Sequence, residues 1–534
     1  MRPNRVAGLW LISVLSAAGA ATAAEPDVRV VKAAAEQDRA AVRALLQQGA
    51  AVNAARADGA TALLWAAHWN DVEMVDLLLR AGANVNAADD YGVTPLARAA
   101  ENASAAMVER LLKAGAQPNA AQTSGLTPLM IAARTGSVNV VKGLLAHGAH
   151  VNAATTETKA TALMWAVAEP HPAIVQVLIE GQADVHASTM KGFTPLLYAA
   201  RNGDIEMAKV LLAAGVSVNE TGSDGTHALP YSMVAGHADF AMFLIEQGAD
   251  PNGAMNGVRA LHAAAGTVDV WLGDWYRRHG FSDSYGGGGD GRMRGLDSSR
   301  RLPIVTALLT RGADPNSRIT TSAMFMSYVG YPKKGAFEPF ATGTGDLRGA
   351  TPLWVAAQEA SQRQAGGAAS VTNSPEIIRT LLAAGADQRL TTDDGTTPLM
   401  VAAGLGRASA HTEPRPRGPH LPSAEQAVRM LIEAGADVNA VNEADFTALH
   451  GAALRGLNEV IRVLVDHGTN INARDFKGRT AYRMAEGSKQ SFVFYAWPET
   501  AELLKTLGAD ARLGIPGTVQ ERARNLAAAA AQQQ

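Results

Sequence analysis

The feature that most constrains this chain is a segment of about 33 residues that recurs along most of its length. The copy at Asp58–Asp90 predicts two short helices, Ala62–Trp69 and Val72–Arg80, after an Asp-Gly turn. Thr61 can cap the first helix, and Gly82 supplies the positive φ that ends the second. Because each helix is too short to be stable alone and is apolar on one side, like units must stack side by side. The sequence therefore predicts a solenoid.

The recurring segment resembles the ankyrin repeat, whose signature Gly-x-Thr-Pro-Leu-His-x-Ala-Ala precedes a Leu-Leu-x-x-Gly-Ala-Asp-x-Asn-Ala stretch. The first part returns at Gly92–Ala100, Gly125–Ala133, Gly192–Ala200, Gly349–Ala357, Gly395–Ala403 and Ala444–Ala453. His262 and His450 stand at the histidine position of the signature. About 12 copies fit between Asp27 and Asp510. The resemblance implies an all-α repeat solenoid of helix-turn-helix units with β-hairpin-like linkers. It implies binding in general and names no partner.

The regularity of the copies divides the chain into five parts. These are a leader at 1–24, repeats one to seven at 25–253, repeats eight to ten at 254–441, repeats eleven and twelve at 442–512, and a low-complexity tail at 513–534. Repeat one lacks the usual opening and has a polar outer side, as expected of a cap. Repeats eleven and twelve return nearly to the standard length.

Repeats eight to ten are expanded by inserts at 266–297, 319–347, 358–374 and 404–422. Three of these fall at the bend between the first and second helix of a repeat. Because equivalent positions of stacked repeats lie about 10 Å apart, these three should gather on one edge of the solenoid. The insert at 319–347 lies in a hairpin linker and should project from the opposite edge. Such inserts are either functional loops or tolerated surface decoration.

The first 24 residues read as an export signal. Arg2 and Arg5 precede an apolar stretch, Val6–Leu15, and the small residues Ala17–Ala24 offer cleavage after Ala23 or Ala24. The alternative, a membrane anchor, needs about 20 apolar residues, and this stretch is shorter. We therefore expect a bacterial periplasmic or secreted protein with no stable membrane insertion after cleavage. The chain has no cysteine, which excludes disulfides and thiol chemistry.

The charge of the chain bears on its partners. The formal net charge is −3, so no global basic field exists to gather nucleic acid. We expect a protein partner of unknown identity, no nucleic acid, no cofactor and no metal, and a monomeric chain. His411 and His420 flank Glu413 in a Pro/Arg-rich loop, but this spacing is too unspecific to predict a metal site.

The first candidate contact surface lies in the insert 266–297, which is rich in aromatic and arginine residues. The partner-binding candidates there are Trp271, Trp275, Tyr276, Arg277, Arg292 and Arg294. Aromatic side chains among arginines are typical of binding hot spots. Alternatively, the aromatic residues form a small satellite core under the loop. The glycine run Gly286–Gly289 has no Lys-Ser/Thr after it and is not a phosphate loop.

The second candidate surface is one recurring position of the first helices. Large side chains occupy it in four repeats, namely Trp65, Trp165, Tyr198 and Tyr231, and Trp69 lies one turn after Trp65. The ankyrin resemblance implies that first helices line a concave face on which partners dock. The alternative is that these side chains pack against the neighbouring repeat. The two interpretations can hold together.

No catalytic residue is predicted. The chain has no HExxH motif, no Gly-x-Ser-x-Gly elbow and no Walker loop. We therefore expect an exported binding module that uses its concave helices and the inserts of repeats eight to ten. Two alternatives are a secreted effector enzyme with insert-borne activity and an inhibitor or accessory module of an envelope stress-defence enzyme.

Overall fold

The computed structural model describes residues 27–280, 295–322, 346–361, 373–406, 418–490 and 493–514. The chain forms two compact units, Met1–His150 and Val151–Gln534. The predictions for the leader, for Arg292 and Arg294, for Gly286–Gly289, for His411 and Glu413, and for most of the tail fall outside the described residues.

The first unit consists of four helix pairs. Its helices are α1 (Arg29–Ala35), α2 (Arg39–Gln47), α3 (Ala62–His68), α4 (Val72–Arg80), α5 (Pro95–Glu101), α6 (Ala105–Lys113), α7 (Pro128–Thr135) and α8 (Val138–Ala146). Each first helix packs against the first helix of the next pair and against its own second helix. The buried core lies between these two layers.

The second unit continues the same pairing through eight further repeats. Its elements are α9 (Ala162–Ala168), α10 (Pro172–Glu180), α11 (Pro195–Asn202), α12 (Ile205–Ala213), α13 (Ala228–Val234), α14 (Ala238–Glu246), β1 (Ala254–Met255), β2 (Val258–Arg259), α15 (Ala260–Ala265), α16 (Asp269–His279), α17 (Ser298–Thr310), α18 (Pro352–Ala360), α19 (Ser374–Ala383), α20 (Pro398–Ala402), α21 (Pro422–Glu433), α22 (Ala448–Arg455), α23 (Asn458–Asp466), α24 (Ala481–Glu486), β3 (Ser488–Gln490), β4 (Val493–Tyr495) and α25 (Pro498–Thr506). Strands β1 and β2 pair antiparallel, as do β3 and β4. In the parts of the chain described, no helix is both long and apolar enough to cross a bilayer.

Threonine and glycine set the ends of the helices as the repeat pattern predicts. The Thr61 hydroxyl accepts the amide of Leu64 at 3.3 Å, which caps α3. After α4, Gly82 has a φ of +83°, a left-handed conformation that glycine adopts without strain. The buried side of α4 is centred on Met74 and Leu78, with Val75 between them.

A ladder of asparagines joins one repeat to the next at most of the junctions. Asn119 Nδ2 donates to Gly148 O at 2.9 Å, and its Oδ1 accepts the amide of His150 at 2.7 Å. Asn252 and Asn316 make the same two contacts with residues 60 to 71 positions further along the chain. The repeats on either side of the inserts at 266–297, 319–347 and 358–374 are therefore joined to each other directly.

The described ends of the inserts in repeats eight and nine lie close to one another, since the amide of Thr267 donates to the Glu359 carboxylate at 3.4 Å. Arg455 of repeat eleven also contacts the insert of repeat nine, because its Nη1 donates to Ser361 O at 2.7 Å. The insert of repeat eight also contains α16, a helix that the repeat pattern does not predict. Repeat twelve is not of standard form, because the hairpin β3–β4 separates α24 from α25.

Candidate partner-binding surfaces

Helix α16 forms from local signals at its two ends. Asp269 lies in its first turn, and Arg277, Arg278 and His279 lie in its last, so the charges complement the helix dipole. Gly280 ends the helix with a φ of +80°. Within the helix, the apolar residues lie on one side, and the outward residues are charged.

Two tryptophans one turn apart attach α16 to the repeats. Trp271 Nε1 donates to Leu347 O at 3.2 Å. Trp275 Nε1 donates to Asp224 Oδ2 at 2.9 Å and lies 3.0 Å from Thr226 Oγ1. Both tryptophans are 1% exposed. Each polar indole atom therefore keeps a hydrogen bond while its ring leaves water.

The rings around Trp275 form one aromatic cluster with the linker of repeat six and the first helix of repeat seven. Trp275 lies 6.1 Å from Phe193 and 5.4 Å from Tyr231 between ring centroids. His279 stacks on Trp275 at 4.0 Å, and Tyr198 lies 5.4 Å from Phe193. The two surfaces proposed from the sequence thus meet at this cluster.

One turn before Trp275, the Trp271 ring packs edge-on against the ring of Trp354 in repeat nine, with their centroids 6.0 Å apart. Its carbonyl accepts Asn256 Nδ2 from the β1–β2 turn at 2.8 Å. At the other end, Gly280 lies against the side chain of Lys191. Helix α16 therefore crosses the first helices and linkers of repeats six to nine. We call the residues beneath it (Phe193, Asp224, Thr226, Tyr231, Asn256, Leu347 and Trp354) the α16-binding surface.

This geometry corrects part of the predicted contact surface. Trp271, Trp275 and Tyr231 are buried and offer no surface to a partner in this structure. For Trp271 and Trp275 the arrangement is the satellite core that was the alternative interpretation, here joined to the repeats. Tyr276 is half-buried, and Arg277 is exposed and paired with Asp274.

Polar side chains surround the start of α16. Tyr276 Oη donates to Asp269 Oδ1 at 3.1 Å. The loss of hydration raises the pKa of Asp269, and the nearby charge of Glu359 adds to that rise. Loss of hydration also raises the pKa of the Tyr276 hydroxyl. Glu359 in turn pairs with the buried Arg301 at 3.3 Å, so this group links the insert to repeats eight and nine.

The first unit presents an aromatic surface that no helix covers among the described residues. Trp65 and Trp69 stack with centroids 6.1 Å apart, and His68 lies 4.6 Å from Trp69. The guanidinium of Arg56 lies 5.7 Å from the Trp65 ring. Trp69 is 41% exposed, although its Nε1 donates to Ala35 O at 3.1 Å. We call Arg56, Trp65, His68 and Trp69 the open aromatic patch.

The other predicted positions of the first helices are only partly accessible. Trp165 and Tyr198 are half-buried, and burial raises the pKa of the Tyr198 hydroxyl. The linker turns expose further apolar side chains that the sequence did not single out, among them Tyr91, Met190 and Val441. These stand at single turns and do not adjoin a stacked ring pair.

The two histidines of the repeat signature are structural. His262 Nε2 lies 3.1 Å from both Ser317 O and Ala350 O, and it joins the linkers of repeats eight and nine. His450 Nδ1 accepts the amide of Thr447 at 3.0 Å. Burial lowers the pKa of each ring from 6.5 to about 4, so both are neutral at pH 7. Among the described side chains, no group of three or more His, Asp or Glu could hold a metal ion.

Sequence profiles for ankyrin repeats match most of the chain. One profile, for ankyrin repeats in three copies, matches residues 30–122, 115–189, 154–222 and 196–270. Two others match 394–443 and 431–485. These ranges contain both the open aromatic patch and most of the α16-binding surface.

Curated relatives match only part of the chain. Human ankyrin repeat and SOCS box protein 16 is 37% identical over 139 residues, 26% of this chain and 27% of that protein. Pig NF-kappa-B inhibitor alpha is 36% identical over 109 residues, 20% of this chain and 31% of that protein. The Arabidopsis thaliana E3 ubiquitin-protein ligase KEG is 31% identical over 110 residues, 21% of this chain and 6% of that protein.

The chain thus spans less than a third of the length of these relatives, so their other activities do not transfer with the match. The profile matches show a repeat array, an architecture that presents an extended surface to other proteins. The paired helices, the asparagine ladder and the profile matches lead to one assignment. This chain belongs to the ankyrin-repeat family and has the architecture of a protein–protein interaction module.

Proposed function

We propose that this protein is an exported ankyrin-repeat module that binds another envelope or secreted protein through the open aromatic patch. The observation that carries the proposal is Trp69, which is 41% exposed and stacked on Trp65. Burying a large apolar side chain is strongly favourable, and an exposed tryptophan held rigidly pays little conformational entropy on binding. Trp65 and Trp69 are thus the anchors of the proposed interface.

The chemistry of the patch indicates what the partner presents. Arg56 and His68 flank the rings, so an apolar side chain with carboxylates beside it fits the patch. In the second unit, Trp165, Tyr198 and the exposed Arg277 stay in the proposal as separate predicted contacts. Arg292 and Arg294 stay in the proposal as predictions. The leader supports export to the periplasm or the medium.

The test compares three mature proteins: wild type, Trp69→Ala, and Val441→Ala as a matched exposed apolar control in a linker turn. Each is first checked for equal melting temperature and then used to capture partners from envelope extract. A captured protein is purified, and its Kd for each variant is measured. Truncating a tryptophan anchor should weaken binding by about 2 kcal/mol or more, roughly 30-fold in Kd. Val441→Ala should bind as wild type does.

Equal binding by Trp69→Ala would reject the patch as the interface, and no captured protein would reject the binding role. Export is tested separately by mass spectrometry of the protein from fractionated native cells. We expect an N-terminus at Ala24 or Glu25 in the envelope or medium fraction. A cytosolic protein that keeps Arg2 and Arg5 would overturn the localisation.

A further inference from the structure

Helix α16 lies on the repeats in the way that a bound helical ligand lies on a receptor. Its inner side consists of Trp271, Leu272 and Trp275, all buried, and its outer side exposes Asp274 and Arg278. A helix whose apolar anchors lie one turn apart in a surface lined by aromatic and polar groups is a common mode of recognition between proteins. Here the helix belongs to the same chain.

The attachment of α16 is made by side chains. Within the described parts of the chain, no other helix or strand runs closely along its backbone. Helices of 11 residues are not stable alone in water, so α16 stays helical only through its contacts with the α16-binding surface. It is joined to α15 by only three residues, Gly266–Val268. Helix α16 can therefore leave the α16-binding surface and still remain near it, because the short linker tethers the helix to α15.

The repeats beneath α16 do not depend on it for their stacking. Helix α15 packs on α13, α17 and α18 without passing through α16. Asn252 and His262 fasten repeat eight to the residues that follow the inserts. If α16 left the surface, Tyr231 and Trp354 would be uncovered and the repeat array would stay folded. A receptor with an exchangeable ligand behaves in the same way.

We propose that the α16-binding surface is a receptor site for an amphipathic helix with two aromatic residues one turn apart, and that α16 is its resident, displaceable occupant. A partner helix of the same chemistry competes with α16 for the surface. The site is separate from the open aromatic patch, so the proposal does not rest on the interface described above.

The contacts of α16 define the ligand. An indole N–H in its second turn meets Asp224 and Thr226, and an indole N–H one turn earlier meets the carbonyl of Leu347. His279 in the last turn lies 3.4 Å from the Asp224 carboxylate. The partner helix should therefore carry tryptophan at both anchor positions and a cationic or histidine residue four positions after the second anchor.

The first arm of the test uses a synthetic fluorescent peptide of residues 268–280 and the full mature chain. In the double variant Trp271→Ala/Trp275→Ala the resident helix has lost its anchors, and the peptide should bind saturably in anisotropy titrations. Wild type should bind it at least about tenfold more weakly, because α16 already fills the site. A peptide with both tryptophans replaced by alanine should bind neither protein, and Val441→Ala should behave as wild type.

The second arm uses hydrogen exchange on wild type, so it gives a result even where the double variant does not fold. The amides of α16 should exchange at least about tenfold faster than those of α11 and α13, and adding the peptide in excess should speed them further. The proposal is overturned by a folded double variant that does not bind the peptide, or by equal binding to both proteins. Exchange of α16 at the rate of α11 and α13 also overturns it.

Discussion

At the scale of single residues, the two buried histidines make the stability of the array depend on pH. Burial lowers the pKa of His262 and His450 to about 4, whereas the unfolded ring titrates near 6.5. The unfolded chain therefore binds these protons first as the pH falls. The stabilisation that each neutral ring confers is complete above pH 6.5 and is lost between pH 6.5 and about 4.

We predict that each histidine accounts for about 3 kcal/mol of the free energy of unfolding lost across that window. The measurement is urea unfolding of wild type and of His450→Gln at pH 7, 5.5 and 4.5. The variant should be less stable at pH 7 and should lose less stability on acidification. A variant that follows the same pH profile as wild type would contradict the role of burial at His450.

Replacing glycine should change stability in opposite directions at two positions of the first unit that have room for a side chain. An added Cβ would meet nothing within 4 Å at Gly82 or at Gly143, but only Gly82 has a positive φ, of +83°. We predict that Gly82→Ala destabilises by about 1 kcal/mol and Gly82→Val by more, because Val is also β-branched. Gly143→Ala in the middle of α8 should stabilise by about 0.5–1 kcal/mol. Thermal melts that move in the same direction for the two alanine variants would contradict this assignment.

At the scale of elements, the asparagine ladder keeps the stack continuous where the inserts interrupt the chain. Asn316 donates to Gly385 O at 2.9 Å and accepts the amide of Asp387 at 2.7 Å. We predict that Asn316→Ala costs about 1–3 kcal/mol, because two contacts are lost together. Asn119→Ala, at a junction with no insert, should cost about the same. An unchanged urea midpoint for Asn316→Ala would show that the asparagine contacts do not stabilise this junction between repeats.

The elements that could be predicted from the sequence are those whose signals are local or periodic. Helix α4 begins and ends at the predicted residues, and Thr61 caps α3 as expected. Helix α16 was missed because it has no counterpart in the other repeats, although its spaced apolar residues and charged ends resemble those of any short helix. Its position was beyond prediction, since Trp275 meets Asp224, a residue 51 positions earlier in the chain.

The exposure of the predicted contact residues also depends partly on local sequence and partly on packing between distant segments. The partial exposure of Trp69 follows from its place just after α3, at the end of a first helix. Tyr231 occupies the position of Trp65 in another repeat, yet it is fully buried because α16 covers it. A sequence pattern assigns a side chain to a face, but whether another element covers that face depends on packing between distant segments.

At the scale of the whole molecule, the two units present different surfaces. In the first unit Trp69 is partly open to solvent beside the half-buried Trp65, whereas in the second unit the equivalent Tyr231 lies beneath a helix of the insert. Each repeat packs mainly on its immediate neighbours. Stability in such an array is a sum of repeat and junction contributions, so damage should stay near its source.

Leu211 provides the test of that locality. It is fully buried in α12, in repeat six. We predict that Leu211→Asp, which places a charge without a partner in this core, destabilises by a few kcal/mol. Because the cost is passed on only through neighbouring junctions, hydrogen exchange should rise in α9–α14 and stay near wild-type rates in α20–α25. Leu211→Met, which keeps the volume nearly constant, should change neither region much. Equal loss of protection in both regions would mean that the second unit unfolds all at once. Its stability would then not be a sum of repeat and junction contributions.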